Sequence, residues 1–194
     1  MLPQYTEQLD KERVEVFRKL KNFSNDFILA GGTAIMLQIG HRKSFDFDCF
    51  SKGNLSNTLL RKVRMIFGKN IILHINTSEM LIIRTADNIE LNFVWHPYKY
   101  LKNPVTTDCM SMFHMDDLIA NKAYTIGRRG AWRDYVDIFI CLKWGIYNID
   151  RIIRLAKKKF NGEFNEKLFF EQLTYFDDIK IIPTEYIKDS YTPS

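Results

Sequence analysis

The sequence predicts an α+β protein in which strands and helices alternate as far as Trp95 and helices alone follow. Three observations predict this. Short apolar runs of strand length, bounded by glycine and polar turns, fill the N-terminal half; apolar residues recur at helical spacing from about Met112; and Pro97 and Pro104 separate the two patterns.

Leu9, Val16, Phe17 and Leu20 fall close to one face between charged residues, which predicts an amphipathic helix over 8–22. Asp26-Phe-Ile-Leu-Ala30 is a short apolar run ending in Gly31-Gly32, a buried strand followed by a tight turn. A helix is then expected from Thr33, near its N-cap, to Ile39, with Gly40 at its end. In Ser44-Phe-Asp-Phe-Asp-Cys-Phe50, alternation puts Phe45, Phe47 and Cys49 on one side of a strand and Ser44, Asp46, Asp48 and Phe50 on the other. Leu55, Leu59, Leu60, Val63 and Phe67 mark a second amphipathic helix closed by Gly68. Runs from Asn70 to Asn76, Met80 to Thr85 and Asn88 to Trp95 predict three strands in a meander.

In the C-terminal half, Leu118, Ile119, Ala123 and Ile126 mark one helix, and Trp132, Tyr135, Val136, Phe139 and Ile140 another, with Gly127 and Gly130 at the junction. Ile152, Ile153, Leu155 and Ala156, then Leu168, Phe169 and Leu173, predict two more before an irregular tail carrying Pro183 and Pro193. No repeat or low-complexity segment interrupts the chain. A boundary within Asn103 to Asp108 divides it into residues 1–105 and 106–194.

Composition narrows the class. A chain of 194 residues fits one sizeable domain or two small ones, and 46% hydrophobic with 14% aromatic residues excludes wholesale disorder. Lys and Arg number 28 against 23 Asp and Glu, a formal +5 that permits an anionic partner without demanding one. Cys49, Cys109 and Cys141 are odd in number and widely spaced, so they form neither a disulfide framework nor a C-x-x-C metal site. The N-terminus lacks an apolar signal region, and no apolar run approaches the roughly 20 residues needed to cross a bilayer. A soluble protein of the reducing cytoplasm, with no membrane partner, is expected.

Chemistry concentrates at one place. Asp46 and Asp48, two apart on a strand, project to one side with Cα atoms roughly 6.5 Å apart. Such a pair can hold divalent cations about 3.5 to 4 Å from each other, the arrangement that clamps attacking and leaving oxygens in phosphoryl transfer. Carboxylates also suit Mg²⁺, which takes its remaining ligands from phosphates and water. Alone the spacing means little, since Asp10 and Glu12 share it on a solvated helix. The context adds to it. Gly31-Gly32-Thr33 follows a strand and opens a helix, where backbone N–H groups and the positive helix end can hold a phosphate. Arg42 and Ser44, between the turn and the acids, add a charged fork and a hydroxyl suited to phosphate oxygens. His41 and Lys43 are expected on the surface, where Arg42 could equally lie.

The blocks Leu29-Ala30-Gly31-Gly32-Thr33-Ala34 and His41-Arg42-Lys43-Ser44-Phe45-Asp46-Phe47-Asp48 resemble the AbiEii/AbiGii nucleotidyltransferase toxins, within the polymerase-β-like nucleotidyltransferase superfamily. A second block is similar to the family's lysine and arginine-aspartate motifs: Asp117-Leu-Ile-Ala-Asn-Lys122-Ala, then Arg129-Gly130, then Arg133-Asp134-Tyr135-Val136-Asp137. The resemblance spans Ile28 to Leu142 and leaves the last fifty or so residues unmatched. It implies a polymerase-β-like mixed sheet with flanking helices, followed by a helical C-terminal half. It further implies Mg²⁺-dependent transfer of a nucleotide from an NTP to an acceptor with loss of pyrophosphate. By this resemblance Asp46 and Asp48 hold the metals, Gly31, Gly32, Thr33 and Ser44 the triphosphate, Lys122 neutralises phosphate charge, and Asp134 takes a further polar role. Asp137 lies one turn along on the same face as Asp134. The structural alternative pairs Asp134 and Asp137 with Arg128, Arg129 or Arg133 to hold helices together.

The superfamily's third carboxylate is expected in Ile89-Glu90-Leu91-Asn92-Phe93-Val94, where Asn92 occupies the acid's usual position and Glu90, two residues earlier on the same face, is a substitute metal ligand. Loss of that acid would leave the acceptor hydroxyl without a general base. His74 and His96 are isolated and are not read as ligands. The resemblance implies the toxin of a toxin–antitoxin pair, with RNA, especially tRNA, as acceptor and an antitoxin as possible partner. Lys157-Lys158-Lys159 and Arg128-Arg129 are compatible with RNA. Two alternatives stand beside this: a nucleotide-binding regulatory protein that has lost catalysis, motivated by Asn92, and an enzyme that nucleotidylates a protein.

Overall fold

The computed structural model describes residues 4–128, 130–177 and 179–188; Arg129 and Pro193, singled out above, lie outside them. The chain forms two compact units that interleave in sequence instead of dividing once near residue 105. The first holds the chain up to Ile39, then Ser44–Pro97 and Pro104–Phe113, and the second holds Gly40–Lys43, Tyr98–Asn103 and the chain from His114.

In the first unit α1 spans Lys11–Lys19, shorter than expected because its end tightens into a 3-10 turn at Leu20–Phe23. Asp10 caps it by accepting from the Arg13 backbone N–H at 2.8 Å. Strand β1, Phe27–Ala30, runs directly into α2, Gly31–Ile39. The helix therefore begins two residues before the predicted Thr33, because Gly31 makes the whole turn in one residue with φ of +65°. Strand β2 covers Phe47–Ser51, α3 Leu59–Phe67, β3 Ile72–Asn76, β4 Met80–Arg84 and β5 Glu90–Trp95. The sheet order is β1-β2-β5-β4-β3. Only β2 and β5 run parallel, so the sheet is mixed, and β5-β4-β3 is the expected meander.

The alternation seen in the sequence decides which side is core. Phe47 and Cys49 are fully buried, and Phe47 stacks on Phe17 of α1 at 6.3 Å between ring centroids. Phe93 of β5 meets Phe23 at 5.1 Å and Phe27 at 5.0 Å. The opposite side of β2 and β5, carrying Asp48, Glu90 and Asn92, stays half-buried. Every residue of β3 is exposed, since it forms the sheet's outer edge.

The second unit is helical: α4 Met115–Ile126, α5 Trp132–Lys143, α6 Ile149–Phe160 and α7 Glu166–Thr174, four helices as predicted. His114, Asn148 and Asn165 cap α4, α6 and α7. Leu118, Ile119, Ala123 and Ile126 of α4 are buried, as are Ile152, Ile153 and Ala156 of α6, which packs on it. The described tail beyond Thr174 holds no helix or extended strand, yet its backbone straps the 40–43 segment: Lys43 N–H donates to the Glu185 carbonyl at 2.8 Å and Ile187 N–H to the His41 carbonyl at 3.1 Å. No helix among the described residues is long and apolar enough to cross a membrane.

Candidate active site

Strand register builds the first part of the site. Asp48 on β2 lies between Ala30, the last residue of β1, and Asn92 of β5. The glycine turn therefore starts beside the Asp48 side chain. A Cβ on Gly31 would come 1.8 Å from Asp48 Oδ2, a distance no real side chain tolerates, so the absence of a side chain at Gly31 is what admits the carboxylate. On the other side, Asn92 Nδ2 donates to Asp48 Oδ1 at 3.0 Å.

Asp46 sits one residue ahead of β2, half-buried like Asp48, with the fully buried Phe47 between them. Its segment is tied to the start of α2: Thr33 Oγ1 donates to the Asp46 carbonyl at 2.5 Å and lies 3.0 Å from Ser44 Oγ. Thr33 is only 1% exposed, so its hydroxyl serves this internal tie, and what the turn can offer a phosphate is backbone N–H. Arg13 Nε donates to the Phe45 carbonyl at 3.0 Å, holding the same segment from α1. Gly31, Gly32, Thr33, Ser44, Asp46 and Asp48 thus gather in one unit.

Of the two β5 residues proposed for a third ligand, Asn92 is the one hydrogen-bonded to Asp48. Glu90 stands two residues away and its carboxylate is 3.3 Å from Arg84 Nη2. Asn92 Oδ1 is buried with no hydrogen-bond partner among the described residues, an acceptor left open beside Asp48. No group of three or more His, Cys, Asp or Glu side chains able to hold a metal occurs among the described residues. Two carboxylates and an open amide oxygen fit a hard cation that completes its shell with water and phosphate, as Mg²⁺ does.

The remaining predicted residues form a buried cluster inside the second unit. Asp137 of α5 is wholly buried. Its Oδ1 accepts from Arg42 Nε and His41 Nε2, each at 2.7 Å, and its Oδ2 from Arg42 Nη2 at 3.0 Å. Lys122 Nζ lies 2.7 Å from Asp137 Oδ2 and 2.5 Å from Asp134 Oδ1. Arg42 is 2% exposed, and its Nη1 donates to the Lys43 carbonyl at 3.0 Å. The guanidinium expected at a phosphate is thus buried and bonded through all three of its nitrogens to Asp137 and Lys43. His41, expected on the surface, is buried in the same cluster. Of the arginines offered as partners for the α5 acids, Arg128 instead approaches Glu163, and the cations at Asp137 come from distant sequence.

Electrostatics follow from this packing. Burial opposes ionisation of Asp137, but Arg42 and Lys122 outweigh it and hold the carboxyl well below the usual carboxylate range. Burial alone would lower Lys122; Asp137 and Asp134 raise it above an ordinary lysine. Burial pushes His41 down despite its bond to Asp137, and its Nδ1 is buried without a hydrogen-bond partner among the described residues. A proton there would be unsolvated, so the ring is held neutral. A second buried pair was not anticipated. Asp117 accepts from the Leu101 and Lys102 N–H groups and from Lys159 Nζ at 2.7 Å, and no local pattern marks it because Lys159 lies 42 residues away.

The sequence model of the nucleotidyl transferase AbiEii toxin family, a type IV toxin–antitoxin system, matches residues 16–187. An uncharacterised protein of Aquifex aeolicus is 29% identical over 178 residues, 89% of this chain and 85% of its own. The crystal structure of JHP933 from Helicobacter pylori superposes with a TM-score of 0.54 at 20% identity, covering 87% of this chain and 89% of that one. The nucleotidyltransferase toxin MenT4 of Mycobacterium tuberculosis superposes at 0.45 with 14% identity, over 75% of this chain and 61% of its own.

Proposed function

The chain belongs to the AbiEii family of nucleotidyltransferase toxins, and from that premise we propose that it transfers a nucleotide from an NTP to RNA, tRNA foremost, in the cytoplasm, with an antitoxin as its counterpart. The observation that carries the proposal is the fit of the Asp48 carboxylate against Gly31, which makes the acid and the glycine turn one site.

The N–H groups at the start of α2 bind the triphosphate, aided by Ser44, whose hydroxyl is held at Thr33. Asp46 and Asp48, with Asn92 Oδ1 in place of a third acid, are the residues that would hold Mg²⁺. When bound, that ion supplies neutralisation of phosphate charge. The acceptor hydroxyl oxygen bonds to the α-phosphorus as the bond to pyrophosphate breaks, and the hydroxyl proton passes to solvent. Arg42, Lys122 and Asp134 enter this proposal as a charge-balanced cluster around Asp137, and Glu90, engaged with Arg84, is not assigned to the metal.

Incubation with each α-labelled NTP, Mg²⁺ and total RNA tests the reading. Label on RNA that Asp46→Ala abolishes supports it; equal labelling by that variant refutes the site. Asn92 at the acid's position favours a second reading, a nucleotide-binding regulator, for which tight NTP binding without transfer is the signature. Label on protein in place of RNA would reassign the acceptor.

A further inference from the structure

The chain's charge is unevenly placed. Residues 49–78 contain Lys52, Arg61, Lys62, Arg64 and Lys69 and no Asp or Glu, so this stretch carries the entire formal excess of +5; the rest has 23 cations and 23 acids. The structure gathers three of these cations around one feature of the first unit. A groove of about 590 Å³ runs along α3 toward the end of β3, edged by Arg61, Arg64 and Lys69. All three are exposed, and none forms an ion pair or hydrogen bond among the described residues. Lys62, on the same helix, is turned away over the Phe23 ring at 5.0 Å.

The amphipathic character of α3 explains the arrangement. Leu59 and Val63 are buried, which turns Arg61, Arg64 and the 77%-exposed Met65 outward. Arg61 and Arg64 are three apart, so their Cβ atoms lie roughly 5–6 Å from each other, a separation successive phosphates of one strand can bridge. Asn57 and Asn76 add amides to its lining, and Leu60 and Met65 add apolar surface. Clustered cations without acids attract a polyanion by counterion release, while the amides and apolar side chains suit sugars and bases.

We infer that this groove binds the phosphate backbone of a single RNA strand, a docking site apart from the Asp46–Asp48 pair; the inference rests on the proposed RNA acceptor and adds where that RNA is held. The test is fluorescence polarisation of a labelled uridine oligomer with the full chain, without NTP and in EDTA, from roughly 50 to 200 mM salt. The variant Arg61→Ala/Arg64→Ala/Lys69→Ala should weaken binding at least tenfold at low salt. It should also flatten the log–log salt slope by about 2, three contacts at about 0.7 each. The control Lys11→Ala/Lys143→Ala/Lys180→Ala removes the same charge from exposed positions outside every segment read as compatible with RNA and should stay within about twofold of the parent.

Unchanged affinity or slope in the groove variant overturns the inference, as does an equal loss in the control. Competition by polyglutamate at matched charge also overturns it, since the groove would then suit an acidic protein. The two readings fail separately. RNA binding lost in the groove variant without any labelling by the parent sinks the reaction and leaves the groove. Labelling by a parent whose RNA binding ignores the groove variant does the reverse.

Discussion

Replacing Asp137 by alanine should be among the most destabilising single changes on the surface-free interior of the helical unit. The side chain has no exposure and accepts from His41, twice from Arg42 and from Lys122, all within 3.0 Å. Its removal leaves the Arg42 guanidinium buried beside no other carboxylate of the cluster, while Lys122 retains Asp134. Stranding one partner of a buried ion pair costs about 3–5 kcal/mol, a large share of the roughly 5–15 kcal/mol by which a domain is stable. Urea unfolding of the full chain, followed by circular dichroism, reads the loss as a lower midpoint at unchanged slope. Glu185→Ala provides the contrast: it removes an exposed partner 3.0 Å from Lys43 and should cost no more than about 1 kcal/mol. Adding Arg42→Met to Asp137→Ala should restore part of the stability, because the stranded cation is gone and an apolar chain of similar reach fills its place. A loss below about 1 kcal/mol for Asp137→Ala, or no recovery in the double variant, would refute the reasoning.

His41 sets an acid limit. Its folded pKa lies below the ordinary 6.5, so above that pH the ring is neutral in both states, and as pH falls below it the unfolded chain takes a proton that the folded chain refuses. Stability should fall by up to about 1.4 kcal/mol per pH unit below 6.5, and His41→Gln should flatten this slope in urea midpoints measured from pH 7.5 to 5.5; an unchanged slope would exclude His41 as the cause. Asp137 adds a later loss with the same sign, since its depressed pKa stabilises above the ordinary value near 3.8 and that stability is lost as pH falls toward its folded value. Gly31→Ala should abolish nucleotidyl transfer and lower the melting temperature, because a side chain at φ of +65° costs about 1–2 kcal/mol and the new Cβ displaces Asp48. Asn92→Asp should increase the gain in melting temperature on adding Mg²⁺ relative to EDTA, since a third carboxylate repels Asp48 until a cation joins them; an equal gain in parent and variant would remove Asn92 from the proposed ligand set.

Local chemistry in the sequence was enough to determine the order of elements and the side of β2 that faces the core. Each depends on residues within a few positions of one another: a period of two along a strand, a period near 3.6 along a helix, a glycine where the chain must reverse. Asn92 drew notice only through the family resemblance, as an amide where that resemblance implies an acid. Tertiary structure alone decided the partners of Asp137. His41 and Arg42 lie 96 and 95 residues from it, and the surface expected for His41 became a buried ion cluster because packing, and not local pattern, brings those positions together. Likewise the basic stretch of residues 49–78 acquired direction only when burial of Leu59 and Val63 turned Arg61 and Arg64 outward onto one groove. Charge can be counted along a chain, but whether two charges meet depends on distances that only the folded backbone fixes.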